Sequence, residues 1–248
     1  MDKVAIITGG SRGIGAATAQ LAAEQGYTVC LTYRRQQQAA QTIVEAIQQQ
    51  GGNAIAVAAD MASEADILRL FETVDAKLGT VTALVNNAGI LEPQRRLADI
   101  DSARLNRIFQ ANVVGSFLCA REAVKRMSTK QGGRGGAIVN VSSVAARLGS
   151  PGEYIDYAAS KGAIDTMTIG LAQEVAAEGI RVNAVRPGFI YTDIHASGGE
   201  ANRVERVKNS IPMRRGGQAV EVAHAILWLL SPQASYTTGS FIDLAGGK

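Results

Sequence analysis

Tyr157 and Lys161 stand four residues apart at the start of a helical run, Tyr157-Ala158-Ala159-Ser160-Lys161. That spacing places both side chains on one helix face. A free phenol, with a pKa near ~10, is a poor acid–base catalyst at neutral pH, and a neighbouring ammonium favours its ionised form. The pair could therefore exchange a proton with a carbonyl or alcohol oxygen. The same spacing also suits an ordinary amphipathic surface pair. Ser143 lies fourteen residues upstream of the tyrosine, at the end of the apolar run Ile138-Val139-Asn140-Val141. Its hydroxyl could hold a substrate oxygen near Tyr157, or could merely cap the strand.

A second chemistry belongs to Thr8-Gly9-Gly10-Ser11-Arg12-Gly13-Ile14-Gly15, between the first apolar run and the first helix. Glycines permit positive φ and close backbone approach. Free amides and the positive end of a helix dipole then face an anion, as in a dinucleotide pyrophosphate site. The spacing departs from the commoner G-x-G-x-x-G, and such a turn also serves as a plain tight corner. Where the second strand ends, the chain reads Leu31-Thr32-Tyr33-Arg34-Arg35, without the carboxylate that binds a ribose 2′-hydroxyl. Arg34, with Arg12 in the turn, would receive a 2′-phosphate, which predicts NADP(H) over NAD(H). The competing reading makes Arg34 and Arg35 solvated charges. Asp60, with Met61 beside it, follows the third strand and would accept from an adenine amino group, or else cap the next helix.

These residues need a frame. Short apolar runs at 4–8, 28–33, 54–58, 83–86, 137–141, 181–185 and 241–244 are mostly continuous rather than alternating, the mark of strands buried on both faces. Helical patterns at 13–26, 36–50, 64–78, 102–127, 157–178 and 219–231 separate them. This alternation predicts an α/β fold, a doubly wound parallel sheet in three α/β/α layers. No linker divides the chain, so 1–248 reads as a single dinucleotide-binding catalytic domain. Helices 102–127 and 157–178 are apolar on more than one face, which predicts a homo-oligomer.

Among 248 residues, 25 Lys and Arg face 22 Asp and Glu without a basic run, which disfavours nucleic-acid binding. Cys30 and Cys119 lack metal-ligand spacing and read as small buried residues of a reducing cytoplasm. His195 and His224 have no metal partners, so no metal site is expected. Met1-Asp2-Lys3 runs straight into a strand without a signal-peptide pattern, and no apolar run has the length of a bilayer span.

Taken in order, the 8–15 turn, Asn86-Asn87-Ala88-Gly89, Asn112, Ser143, the Tyr157–Lys161 pair, and Pro187-Gly188 with Thr192 are specific. The whole chain resembles the main branch of the short-chain dehydrogenase/reductase family, including glucose-dehydrogenase-like and 3-oxoacyl-thioester-reductase-like bacterial members. The resemblance implies a Rossmann-type seven-stranded parallel sheet in the order 3-2-1-4-5-6-7, commonly in a homotetramer. It implies hydride transfer between NADP(H) and a carbonyl/alcohol substrate, with Tyr157 as general acid/base. Lys161 would lower the Tyr157 pKa and hold the nicotinamide ribose, Ser143 would orient the substrate, and Asn112 would hold a proton-relaying water. Gly9, Ser11, Arg12, Gly13, Ile14, Gly15, Arg34, Asp60, Met61, Asn86, Ala88, Gly89, Pro187, Gly188, Ile190 and Thr192 would join Tyr157 and Lys161 around the cofactor.

Two departures stand out: the serine lies one residue farther from the tyrosine than in much of the family, and Arg186 precedes Pro187 where small residues are common. The segment 190–213, with Gly198-Gly199 and a charged middle that includes Arg203, suits a lid over a polar substrate such as a sugar or polyol, or an ordinary surface loop. A catalytically idle NADP-binding sensor or scaffold is the rival function.

Overall fold

The structure, a computed structural model, describes residues 3–248; Met1 and Asp2, on which the reading of the extreme N-terminus partly rests, lie outside the described residues. Strands β1 (Lys3–Ile7), β2 (Tyr27–Tyr33), β3 (Ala54–Ala58), β4 (Ala83–Asn86), β5 (Gly136–Val141), β6 (Ile180–Pro187) and β9 (Phe241–Leu244) form one sheet in the order β3-β2-β1-β4-β5-β6-β9. All of its pairings are parallel. This is the Rossmann-type sheet expected from the sequence.

The continuous apolar runs are explained by burial on both faces. On β1, Ala5 and Ile7 enter one core with Val29 and Leu31, while Val4 and Ile6 enter the other with Cys30 and Leu84. The first core is covered by α1 (Gly13–Glu24), α2 (Gln37–Gln49) and α10 (Ala219–Leu230), through Ala19, Val44 and Ile226 among others. The second is covered by α3 (Glu64–Lys77), α5 (Gly115–Met127) and α7 (Ile155–Val175), through Phe71, Cys119 and Ala172. Both cysteines are free and buried. No described helix is long and apolar enough to cross a membrane.

The single helix expected over 102–127 is broken. Helix α4 (Ser102–Phe109) leads into a π-helical stretch, Gln110–Val114, before α5 begins. The apolar period continues through the break, so periodicity alone did not reveal it. At its end a Cβ on Gly115 would lie 2.3 Å from the Met61 carbonyl oxygen, so the helix can pass the end of β3 only with glycine there.

Short elements that the sequence reading did not separate sit around the strand C-termini. Helix α6 (Ala145–Leu148) follows β5. Beyond β6, β7 (Ile190–Tyr191) pairs in parallel with β8 (Gly217–Gln218). These two strands tie down both ends of a segment that carries α8 (Ile194–Ser197) and α9 (Arg203–Val207). Between β1 and β4 the strand order reverses, and the carboxyl ends there open a crevice.

Candidate active site

The crevice begins at the glycine turn. Gly9 and Gly13 have φ of +65° and +56°, which L side chains rarely adopt. A Cβ on Gly9 would lie 3.0 Å from Ala88 Cα, and one on Gly15 only 2.3 Å from the Gly9 carbonyl oxygen. Gly9 and Gly13 line the crevice, whereas Gly15 packs beneath it and lets α1 start close to the turn. The Gly9 amide donates to Thr32 Oγ1 (3.0 Å), and Thr8 Oγ1 accepts from the Asn87 and Ala88 amides (3.0 Å each), joining the ends of β1, β2 and β4. The first-turn amides of α1 have no partner within their own helix and present the positive end of its dipole.

At the end of β2, Arg34 and Arg35 line the crevice, with Arg34 Nη1 4.0 Å from Asp60 Oδ2. Asp60 is not the cap of α3: Ser63 accepts from the Asp66 amide in that role. The carboxylate of Asp60 instead accepts from the Ala62 amide (3.0 Å) at the crevice wall, next to Met61. Ser11, Arg12, Ile14, Ala88, Gly89, Pro187, Gly188, Ile190 and Thr192 also line the crevice. Asn86 does not. Its side-chain amide nitrogen turns into the core and donates to Asn140 Oδ1 (3.0 Å) and the Ser116 carbonyl (3.2 Å). Asn140 is its register partner on β5, and only the amide nitrogen of the Asn86 side chain is paired; its Oδ1 is buried without a partner.

Ser143, Tyr157 and Lys161 meet at the far end. The Ser143 hydroxyl donates to the Pro187 carbonyl (3.4 Å), accepts from the Ala145 amide (3.1 Å), and lies near enough to the Tyr157 phenol to hold its pKa down. Ser142, by contrast, points away and donates to Asp165 Oδ1 (2.6 Å), with the Lys161 carbonyl as a farther alternative acceptor (3.2 Å). The fourteen-residue spacing therefore still delivers Ser143 to the tyrosine. Lys161 Nζ lies 5.6 Å from the Tyr157 ring centroid and donates to the Val141 carbonyl (2.7 Å). Burial pushes the phenol up to about 12, against the Ser143 hydroxyl and the Arg203 charge. Burial also brings Lys161 down to about 8, against the attraction of Asp165. At the phenol, desolvation outweighs the lowering contributions of Ser143 and Arg203, while the Lys161 ammonium is held by the Val141 carbonyl.

Asn112 occupies the π-helical stretch, a form of backbone that recurs at functional sites. Its side chain grips Ile90 from both sides, accepting from the amide (2.7 Å) and donating to the carbonyl (3.0 Å), and it also donates to Ser160 Oγ (3.2 Å). It is held behind the crevice wall rather than in it. A Cβ on Gly89 would stand 3.5 Å from Asn112 Oδ1 and 3.6 Å from Lys161 Nζ, so glycine leaves the space between them open.

Other wall residues were not anticipated: Leu91, Tyr154, Phe189 and Asp193. None carries a local motif; only the fold brings them in. Arg186 is turned away from the crevice chemistry. It pairs with Asp165 (3.0 Å) and Asp243 (3.5 Å) and stacks on Phe241 (3.8 Å to the centroid). No cluster of metal-ligating side chains occurs among the described residues.

A glycine cradle, a basic end and a serine–tyrosine–lysine set on a seven-stranded parallel sheet define a dinucleotide-dependent oxidoreductase, and the chain belongs to the short-chain dehydrogenase/reductase family. The family model that matches, over residues 9–248, is described as enoyl-(acyl carrier protein) reductase. Over 245 residues, 99% of each chain, the protein is 62% identical to the uncharacterized oxidoreductase YgfF of Escherichia coli K12. It is 35% identical over 247 residues to the 3-oxoacyl-(acyl-carrier-protein) reductase FabG of Staphylococcus aureus, covering 100% of this chain and 98% of that one. A crystal structure of a short chain dehydrogenase from Burkholderia cenocepacia in complex with NADP matches with a TM-score of 0.90 at 32% identity, over 99% of this chain and 97% of that one.

Proposed function

We propose that residues 1–248 form one catalytic unit that uses NADP(H) to interconvert a carbonyl and an alcohol in this crevice. The observation that carries the reading is the meeting of Ser143, Tyr157 and Lys161 at one end of a crevice whose other end is a glycine cradle flanked by arginines. The cradle fits the cofactor: Gly9 and Gly13 keep the wall open where a Cβ would fill it, and α1 directs its free amides at a pyrophosphate. Arg12 and Arg34 would take the 2′-phosphate, Asp60 the adenine, and Thr192 with the Ile190 backbone the carboxamide.

Bound NADPH supplies the hydride. Tyr157, protonated through neutral pH, donates its proton to the carbonyl oxygen as charge develops there. Ser143 hydrogen-bonds that same oxygen and holds it in reach of the phenol. Lys161 provides a positive charge beside the phenol and would hold the coenzyme ribose. Asn112 fixes the Ile90 strand-end backbone and the α7 residue Ser160, and so keeps Lys161 and Gly89 in place.

Exposed Leu105, Val114, Phe117 and Ile169 lie on α4, the π stretch, α5 and α7, and exposed Val220 and Trp228 on α10. Two such patches suit a homotetramer. Two free buried cysteines suit the cytoplasm. The charged wall segment beyond β6 and the likeness to the FabG reductase support a polar carbonyl compound or a 3-oxoacyl thioester as the substrate.

The test is a carbonyl panel with NADPH and NADH followed at the nicotinamide absorbance. Tyr157→Phe is expected to lower kcat by about 10²–10⁴-fold while NADPH binding, measured by fluorescence titration, is retained. Undiminished turnover in that variant would remove the mechanism.

A further inference from the structure

Beyond the reacting end, the crevice wall holds two buried polar atoms that no protein group satisfies, Arg203 Nη1 and His195 Nδ1. The residues are 7% and 8% exposed, so the cost of leaving these atoms unpaired is not relieved by bulk water. The Arg203 guanidinium is clamped over the Tyr154 ring (4.5 Å to the centroid) and faces Phe189 (5.5 Å). Its Nη2 is held by Glu153. Glu153 also accepts from Arg206 (3.1 Å), and Arg206 pairs with Glu200, so these four side chains balance in charge. The guanidinium therefore lacks a hydrogen-bond acceptor rather than a counterion.

His195 supplies the complementary deficit. Its Nε2 lies 2.9 Å from the Ile190 carbonyl, which can only accept, so Nε2 carries the proton and Nδ1 presents a lone pair. Burial first, then the nearby Arg203 charge, hold the imidazole below the usual histidine range and keep it neutral. An unpartnered donor and an unpartnered acceptor thus belong to two residues of the crevice wall, and the Arg203 charge is felt at both Tyr157 and His195.

We propose that this pair selects a hydroxylated carbonyl substrate, one hydroxyl accepting from Arg203 Nη1 and donating to His195 Nδ1. A methyl group would leave both atoms unpaired. A carboxylate would satisfy Arg203 but meet the Nδ1 lone pair, and Asp193 in the same wall adds repulsion. The inference rests on the hydride-transfer reading of the crevice and deepens it by naming the group that distinguishes the substrate.

The experiment compares methyl ketones of increasing chain length that end in a methyl, a hydroxyl or a carboxylate, each with NADPH. At the best length the hydroxyl-ended ketone is expected to exceed the methyl-ended one in kcat/KM by at least about tenfold, the worth of one well-made buried hydrogen bond. Arg203→Met should abolish that preference, read as the ratio of kcat/KM for the two ketones within the same variant, and Arg203→Lys should restore part of it. NADPH titration reports whether each variant is folded. Equal rates for methyl and hydroxyl ends, or a preference for the carboxylate, would overturn this inference alone and leave hydride transfer standing. Absence of turnover with every ketone would overturn the hydride-transfer reading together with it.

Discussion

Burial acts in opposite senses on the two titratable groups at the reacting end of the crevice. It keeps Tyr157 protonated, with its phenol up to about 12, and it brings Lys161 down to about 8. Each shift disfavours the charged form. The reductive direction uses a protonated phenol, so kcat/KM for ketone reduction should be flat through neutral pH and fall as pH rises through about 8, where Lys161 loses its proton. In Lys161→Arg, whose guanidinium does not deprotonate in this range, that alkaline limb should disappear even if the rate is lower. Alcohol oxidation removes a proton and should rise over the same interval. Steady-state pH profiles in both directions check the signs. At the cradle's other end, on the proposed cofactor reading, Arg34→Asp would exchange a phosphate partner for a ribose-hydroxyl partner. The NADPH/NADH ratio of kcat/KM should drop by about 10- to 100-fold, the equivalent of one charge-assisted hydrogen bond of ~1.5–3 kcal/mol. An unchanged ratio would make Arg34 a solvated surface charge.

Helix α7 delivers both Tyr157 and Lys161, and its first turn is held by an unusual anchor. Arg104 on α4 is almost wholly buried and bonds Asp156 through Nε (2.6 Å) and Nη2 (3.3 Å), while Nη1 donates to the Pro93 carbonyl (2.5 Å). Asp156 in turn accepts from the Tyr157 amide (2.9 Å). One ion pair therefore sets the start of the helix and the backbone of Tyr157. Arg104→Met leaves a buried, unpaired carboxylate. It should cost about 3–5 kcal/mol and lower Tm by roughly 6–20 °C, measured by calorimetry. A change of less than ~1 kcal/mol would mean that the pair is dispensable. On the same scale, elements were legible where their periods were long: the seven sheet strands and the longer helices lie within a few residues of their expected bounds. The π stretch around Asn112 was not legible, because a single widened turn leaves the apolar pattern nearly intact.

Across the whole molecule, the apolar residues left outside the two cores point outward on adjacent helices. Phe117 is 48% exposed and Ile169 45%, although both belong to helices that read as apolar on more than one face. If these faces meet in a homotetramer, Phe117→Asp should shift the protein to a smaller species in sedimentation velocity at micromolar concentration. Each copy would lose about 1.5–3 kcal/mol of apolar burial and place a charge in the interface. An unaltered sedimentation coefficient would place the interface elsewhere.

Periodicity and turn chemistry are local, so the chain by itself determined the alternating β/α order, the glycine turn, the helical tyrosine–lysine pair and the absence of an acid after β2. These need only neighbours within a turn or a strand. Tertiary structure alone decided that Ser143 rather than Ser142 faces the phenol, that Asn86 belongs to the core, and that Lys161 donates a hydrogen bond to the Val141 carbonyl. It also brought His195 and Arg203 into the wall with Tyr157. Which way a side chain turns, and how much water it loses, depends on partners dozens of residues away, and those two quantities set both the hydrogen bonds and the proton affinities of the site.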